Sequence, residues 1–129
     1  AGCAAIGSAA VGVTDIIEPG VNGWLFPIGD DAALAQTLTK VLAGEGAPHN
    51  VLVNALLVGF IEADQHVRAA EKAGIALEDY IGARTKEIPL GRIGRAEEFA
   101  NIACFLVSDA GSYITGTAIN VDGGRSPVV

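Results

Sequence analysis

The sequence predicts a small α/β fold in three layers, with about four mostly parallel strands flanked by helices. Half of the 129 residues are hydrophobic and 17 are glycine, whereas only 5% are aromatic. Small side chains of this kind let helices pack closely against a sheet. The run VLVNALLV at residues 51–58 is nearly continuously apolar, which is typical of a parallel strand covered on both faces.

Each element has its own signal in the chain. Strands are predicted at residues 3–9, 24–28 and 51–58, and in the closing TAINVDGG of residues 117–124. Asp30 and Asp31 stand where an N-cap and a first-turn acid belong, and Gly44 is expected to end the helix that they begin. Further helices are predicted at residues 62–73, 77–87 and 97–107.

Composition excludes several classes of function. A net charge of −7 argues against a nucleic-acid partner, because phosphates require a basic face. No apolar run approaches the length of a membrane span and no leader is recognisable, so neither membrane insertion nor targeting is expected. Cys3 and Cys104 are predicted to be buried small hydrophobes, which favours a cytoplasmic location. His49 and His66 have no Cys–His spacing, so no metal site is predicted.

Three segments of the second part of the chain carry a resemblance. They are NVLVNALLVGFIEAD, IPLGRIGRAEEFANIACFLVSD and SYITGTAINVDGG. In this order and spacing they resemble the C-terminal third of a short-chain dehydrogenase/reductase, over about residues 48–129. The resemblance implies a Rossmann-like sandwich in which the first segment is a late strand followed by a loop beside the nicotinamide. It also implies that the last helix and strand help to form a subunit interface.

The first part of the chain resembles another family. The stretch AIGSAAVGVTDIIEPGVNGWLFPIGDDAALAQTLTKVLA, residues 5–43, is similar to part of the nucleotide-sugar-binding domain of a retaining, sucrose-synthase-like GT-B glycosyltransferase. Val11 and Gly12 stand where that family has a double glycine near the donor phosphates. The resemblance places the Glu pair that binds the donor sugar mostly before residue 1.

Together the two resemblances predict one chimeric α/β domain over residues 1–129. Residues 1–44 form its glycosyltransferase-like segment, residues 45–49 the junction, and residues 50–129 the reductase-like segment. A junction between a helix and a strand changes only a surface loop. The start without methionine, inside a family motif, favours an engineered origin, and a natural gene fusion or frame error stays open.

Catalytic machinery is not recognisable in the sequence. A short-chain reductase needs a Gly-rich turn after a strand to hold cofactor phosphates, whereas Gly44-Glu45-Gly46 follows a predicted helix. The chemistry also needs a tyrosine acid with a lysine four residues later. Tyr80 is followed at that spacing by Arg84, and Tyr113 by Thr117. We therefore expect no catalytic residues, no cofactor and no enzyme activity.

One remnant of a cofactor site is expected at Gly59, Phe60 and Ile61. In the family this loop offers backbone groups to the carboxamide of nicotinamide. Val58 replaces the usual Pro before the glycine, and Ala63 replaces the Thr expected near the cofactor phosphates. The competing interpretation is a plain strand-to-helix turn.

Polar side chains elsewhere leave two interpretations open. The basic group could bind an anion or could balance nearby acids in a solvated loop; it comprises Arg84, Lys86, Arg92 and Arg95, and the acids are Glu87, Glu97 and Glu98. His66 is expected to be exposed on a helix. Asp122, with Gly123 and Gly124, is expected to form a strand-ending turn.

The leading hypothesis is a chimeric α/β protein with no complete active site and no native catalytic function. The alternative is a residual dinucleotide- or substrate-binding fragment of a short-chain NAD(P)-dependent oxidoreductase. A third possibility is an interaction module: a homodimer formed through open sheet edges or through the C-terminal helix and strand.

Overall fold

The computed structural model describes residues 5–10 and 13–126, in which two strands precede the first helix and three helices lie between the last two strands. The strands are β1 (Ala5–Ser8), β2 (Gly23–Phe26), β3 (Ala55–Val58) and β4 (Ala118–Val121). The α-helices are α1 (Asp31–Gly46), α2 (Asp64–Ala73), α3 (Leu77–Thr85) and α4 (Ala96–Leu106), and short 3-10 turns occupy Ala47–His49 and Asp109–Gly111. The expectations for Cys3, Val11 and Gly12 lie outside the described residues.

The chain forms two compact units. Of the described residues, one unit contains 5–10, 13–55 and Tyr113–Ala118, and the other contains Leu56–Ser112 and 119–126. In the first unit β1 and β2 pair in parallel, with Ile6 opposite Trp24. Gly23 is required in this pair because a Cβ there would collide with the Ala5 carbonyl oxygen.

Helix α1 begins where the sequence predicts. The Asp30 carboxylate accepts a hydrogen bond from the Ala33 N–H at 2.8 Å, which satisfies one of the unpaired amides of the first turn. The predicted end at Gly44 is wrong, because the helix continues to Gly46. Glycine weakens a helix without ending it. The chain leaves the helix through a 3-10 turn that contains Pro48 and closes at Asn50, which has φ 57°.

In the second unit β3 pairs with β4. The Gly59 N–H, directly after β3, donates to the Val121 carbonyl at 3.0 Å. Helices α2, α3 and α4 follow the predicted order and begin or end within two residues of the predicted bounds. The parallel strands and intervening helices confirm the predicted α/β class.

The predicted strand at residues 51–58 is only half present, because β3 begins at Ala55. Just before Ala55, hydrogen bonds to side chains take the place of backbone hydrogen bonds between strands. The Val53 N–H donates to Thr115 Oγ1 at 3.0 Å, and the Asn54 side-chain amide donates to the Ile114 carbonyl at 2.8 Å. The prediction that this strand is covered on both faces is also wrong, since Val58 is 60% exposed.

Two further findings concern exposure and membranes. Cys104 is exposed, contrary to the expectation of a buried small hydrophobe. Within the described ranges, the helices are too short or too polar to cross a membrane.

The expected single chimeric domain and the expected homodimer both stay predictions.

The end of α1 offers a matched pair of glycine substitutions. Gly44→Ala places a Cβ in open space and removes the entropic cost of glycine, so we expect it to stabilise the first unit by about 0.5–1 kcal/mol. Gly46→Ala places a Cβ 2.8 Å from the Val51 carbonyl oxygen, so we expect a net loss of about 1–3 kcal/mol. Urea unfolding followed by the fluorescence of half-buried Trp24 measures both. Equal effects of the two substitutions would contradict this account.

Candidate functional site

A cleft of about 180 Å³ in the second unit contains two of the three residues predicted as a cofactor remnant. Phe60 and Ile61, from the loop after β3, line it together with Asp122 after β4 and Arg92 before α4. The Ala55 N–H donates to the Thr117 carbonyl and the Gly59 N–H to the Val121 carbonyl, so β3 and β4 are parallel neighbours. The loops at their carboxyl ends therefore meet at one edge, where α/β folds commonly bind ligands.

The loop after β3 is fixed by a bridge to Gly94. The Gly94 N–H donates to the Phe60 carbonyl, and the Glu62 N–H donates to the Gly94 carbonyl, both at 2.8 Å. A Cβ at Gly94 would lie 2.5 Å from Ile61 Cδ1, so a larger residue would force the end of the Ile61 side chain to move. The cleft wall is therefore set by backbone hydrogen bonds.

Gly59 has a packing role. A Cβ at this position would lie 2.5 Å from the Asp122 Cβ, so a larger residue would push the two strand ends apart. Gly59 also uses its N–H in the bond to Val121. Its identity is explained by this contact, and it does not line the cleft.

Two amides of the loop remain available for a ligand. In the part of the chain that the structure describes, neither the Phe60 N–H nor the Ile61 N–H donates a hydrogen bond. The carbonyls of both residues are already engaged, that of Ile61 by His66 Nε2 at 2.9 Å. The loop can therefore offer two hydrogen-bond donors to an acceptor oxygen.

His66 is buried, with 8% of its surface exposed, so the expectation of an exposed histidine is wrong. Its ring centroid lies 6.0 Å from those of Phe60 and Tyr80. His66 and Ala70 are the buried residues of α2, four positions apart on one face. The charged residues near His66 in sequence lie on the exposed face of α2, so they did not indicate that His66 itself is buried.

Arg92 and Glu98 form a two-point ion pair at the cleft. Arg92 donates from Nη1 and Nη2 to the two Glu98 carboxylate oxygens at 2.8 and 2.7 Å. The same carboxylate accepts the Arg95 N–H at 2.8 Å and caps α4. The hydrogen bond from Arg92, followed by that from the Arg95 amide, lowers the pKa of Glu98 from 4.5 to about 2. For these residues the interpretation as a loop that balances acids is confirmed.

Asp122 forms the predicted strand-ending turn. Its carboxylate accepts the Gly124 N–H at 2.9 Å and the Ser126 N–H at 2.8 Å. Burial raises the pKa of this carboxyl, but the hydrogen bonds from Ser126, Gly124 and Arg125 outweigh it and hold the pKa below its usual range.

Comparisons with known proteins identify the family. The profile described as enoyl-(acyl carrier protein) reductase matches residues 31–126. The chain belongs to the short-chain dehydrogenase/reductase family. It is 51% identical over 87 residues to the 3-oxoacyl-(acyl-carrier-protein) reductase FabG of Aquifex aeolicus, covering 67% of this chain and 32% of that protein. It is 38% identical over 111 residues to the NADPH-dependent reductase BacG of Bacillus subtilis, covering 83% and 42%.

A solved structure extends the likeness along the chain. The L-sorbose reductase of Gluconobacter frateurii, crystallised with NADPH and L-sorbose, superposes with a TM-score of 0.70 at 26% identity. The match covers 96% of this chain and 47% of that protein. The profile match also begins at residue 31, inside the segment that resembles a glycosyltransferase. The reductase likeness therefore extends beyond the boundary that the sequence predicted.

Two expectations about activity are wrong. The chain was expected to be a chimera with no native catalytic function and not an enzyme, yet it belongs to a family whose matched members include the reductases FabG and BacG. The error came from the missing Gly-rich turn and Tyr-x-x-x-Lys pair. The chain spans about a third of the length of the FabG relative, so motifs missing from it do not describe the whole reaction.

Sequence reasoning missed one cleft neighbour. Arg125 Cζ lies 4.6 Å from the centroid of the Phe60 ring. Arg125 stands just after the closing GG of the TAINVDGG segment, and no periodicity links it to Phe60. Pairing of β3 with β4, which brings the two strand ends together, is the only signal that could have found it.

The pKa of Glu98 gives a direct test of the ion pair. Because the folded-state pKa is depressed, the pair's contribution to stability is present above pH 4.5 and is lost as the pH falls toward about 2. We expect Arg92→Gln to raise the Glu98 pKa toward 4.5, and Arg95→Gln to change it little because the Arg95 N–H is retained. Carbon-13 NMR titration of the Glu98 carboxyl measures this. A midpoint near 4.5 in the unmutated chain would disprove the pair.

Proposed function

We propose that the chain is the nicotinamide- and substrate-facing segment of an NAD(P)-dependent short-chain oxidoreductase. The Ile61 N–H, with that of Phe60, would hold the carboxamide of nicotinamide. The observation that carries the proposal is the pair of amides without acceptors on a loop that lines a cleft. It is supported by family membership and by the NADPH named for the Bacillus and Gluconobacter relatives.

The residues present fit the nicotinamide end of the cofactor. A carboxamide oxygen accepts hydrogen bonds, and the two loop amides are donors with fixed positions. When bound, a nicotinamide dinucleotide supplies hydride transfer to or from a carbonyl compound. The chain's own contribution is orientation: the bridge to Gly94 sets the loop, and the Arg92–Glu98 pair holds the segment that carries Gly94.

The glycosyltransferase resemblance of residues 1–44 has no role in this proposal. It stays a prediction about ancestry, because the family match at residues 31–126 includes part of the same segment. The matched stretch of 87 residues makes up 32% of the FabG relative.

Amide NMR on the chain tests the cofactor contact. We expect nicotinamide mononucleotide to shift the Ile61 amide resonance with a dissociation constant on the order of 1 mM, since this ligand lacks the pyrophosphate and adenosine by which a dinucleotide gains further contacts. Ribose 5-phosphate, which lacks the nicotinamide, should leave that resonance in place. If neither compound shifts it, or both shift it equally, the proposal is wrong.

A substitution at the start of α2 separates cofactor contact from helix stability. Ala63 and Ala76 are N-caps of α2 and α3 with extended backbone and no side-chain capping bond. Threonine at either position should stabilise the chain by about 1 kcal/mol. Only Ala63→Thr should also tighten binding of nicotinamide mononucleotide, by about tenfold, through a hydroxyl near the cofactor phosphate. Equal affinities for the two variants would remove Ala63 from the cofactor site.

A further inference from the structure

Two arginines lie against the ring of Phe60. The Cζ of Arg125 is 4.6 Å and that of Arg84 4.9 Å from the ring centroid. The Cζ of Arg84 is also 5.1 Å from the centroid of the Tyr80 ring. Aromatic rings attract cations at these distances. The rings therefore orient two guanidinium groups at one side chain of the cleft.

The two positive charges are balanced differently. Arg125 forms an ion pair with Glu87 at 3.2 Å. The two side chains are 44% and 54% exposed, so the pair contributes little free energy and water can replace either partner. The side chain of Arg84 is less exposed, and over residues 5–10 and 13–126 it forms no ion pair and donates no hydrogen bond. Its N–H donors are thus available to a ligand.

Arg92, in the same unit, is an arginine whose guanidinium has acceptors for its hydrogen bonds. Both of its terminal nitrogens are bound by Glu98. Arg84 has the orientation without the acceptor, and in the described part of the chain its guanidinium nitrogens are accessible from solvent, where a ligand could reach them. In a chain of net charge −7 this local excess of positive charge is an exception, and an oxyanion would compensate it.

We propose that Arg84, assisted by Arg125, binds the oxyanion of a small carbonyl substrate that bears a carboxylate or phosphate group. The planar guanidinium binds either group through paired hydrogen bonds. Phe60 contacts both arginines and lines the cleft, so an anion held at Arg84 leaves the rest of the substrate beside the loop. The assignment of this ligand as substrate rests on the proposed function.

Binding of three small probes to the chain tests the proposal. Acetoacetate supplies a carboxylate beside a ketone, methyl acetoacetate is its uncharged ester, and inorganic phosphate supplies the other oxyanion. We expect at least one of the two anions, but not the ester, to shift the Arg84 Nε–Hε resonance. Equal shifts from acetoacetate and its ester, or no shift from either anion, would overturn the proposal.

Matched variants identify the arginine responsible. Arg84→Gln should weaken anion binding about tenfold or more, whereas Arg68→Gln, the same charge change on an exposed residue of α2, should change it less than twofold. Arg84→Lys keeps the positive charge and is the conservative variant, which controls for a folding defect in Arg84→Gln. It should give an intermediate affinity because the paired hydrogen bonds are lost. Equal weakening by Arg84→Gln and Arg68→Gln would mean that only net charge is sensed, which contradicts the proposal.

The result is separable from that of the cofactor experiment. Nicotinamide contact is read at the Ile61 amide and anion contact at the Arg84 side chain. A shift at Ile61 with nicotinamide mononucleotide, but none at Arg84 with either anion, would reject the anion site and leave the proposed function standing. A shift at Arg84 without one at Ile61 would support an anion site and reject the cofactor contact, and with it the assignment of the anion as substrate.

Discussion

The backbone bridge between Gly94 and the loop after β3 is the constraint on which the candidate site depends. The bridge uses the Phe60 carbonyl as acceptor and the Glu62 N–H as donor in its two hydrogen bonds. In a parallel bridge the residue between these partners, Ile61, turns its own N–H and carbonyl to the other side. His66 takes the Ile61 carbonyl. The amide of Ile61 is left as a donor because of how the bridge is built.

The bridge is supported by the segment that carries Gly94. Arg92 and Arg95 stand on either side of the glycine, and Glu98 binds both, through the side chain of the first and the N–H of the second. An exposed ion pair alone contributes little. Here the same carboxylate also caps α4, so loop and helix start are fixed together. The charge pattern in the sequence is therefore structural at Arg92 and Glu98, while Arg84 is left free of such a role.

Local signals in the sequence predicted the elements well, and long-range contacts account for the failures. The Asp30 cap and the order of helices α2 to α4 follow from residues within one or two turns. The late start of β3 depends on Asn54 bonding to Ile114, far along the chain. Burial of His66 depends on which face of α2 is covered. The loop of Phe60 and Ile61 was predicted from resemblance, whereas its arginine neighbour Arg125 required the pairing of β3 with β4.

Glycines and missing motifs carry less functional information than they suggest. Gly59 invites interpretation as a cradle for a cofactor, but contact with Asp122 already requires it. The absent Tyr-x-x-x-Lys pair suggests an inactive protein, but the chain spans only about a third of the FabG relative. Hydrogen-bond donors and charges can nevertheless be fixed in place within such a stretch, as the Ile61 amide and the Arg84 guanidinium are. Proton transfer requires groups brought together from the whole enzyme, so a segment can retain its positioning role while its sequence shows no catalytic residue.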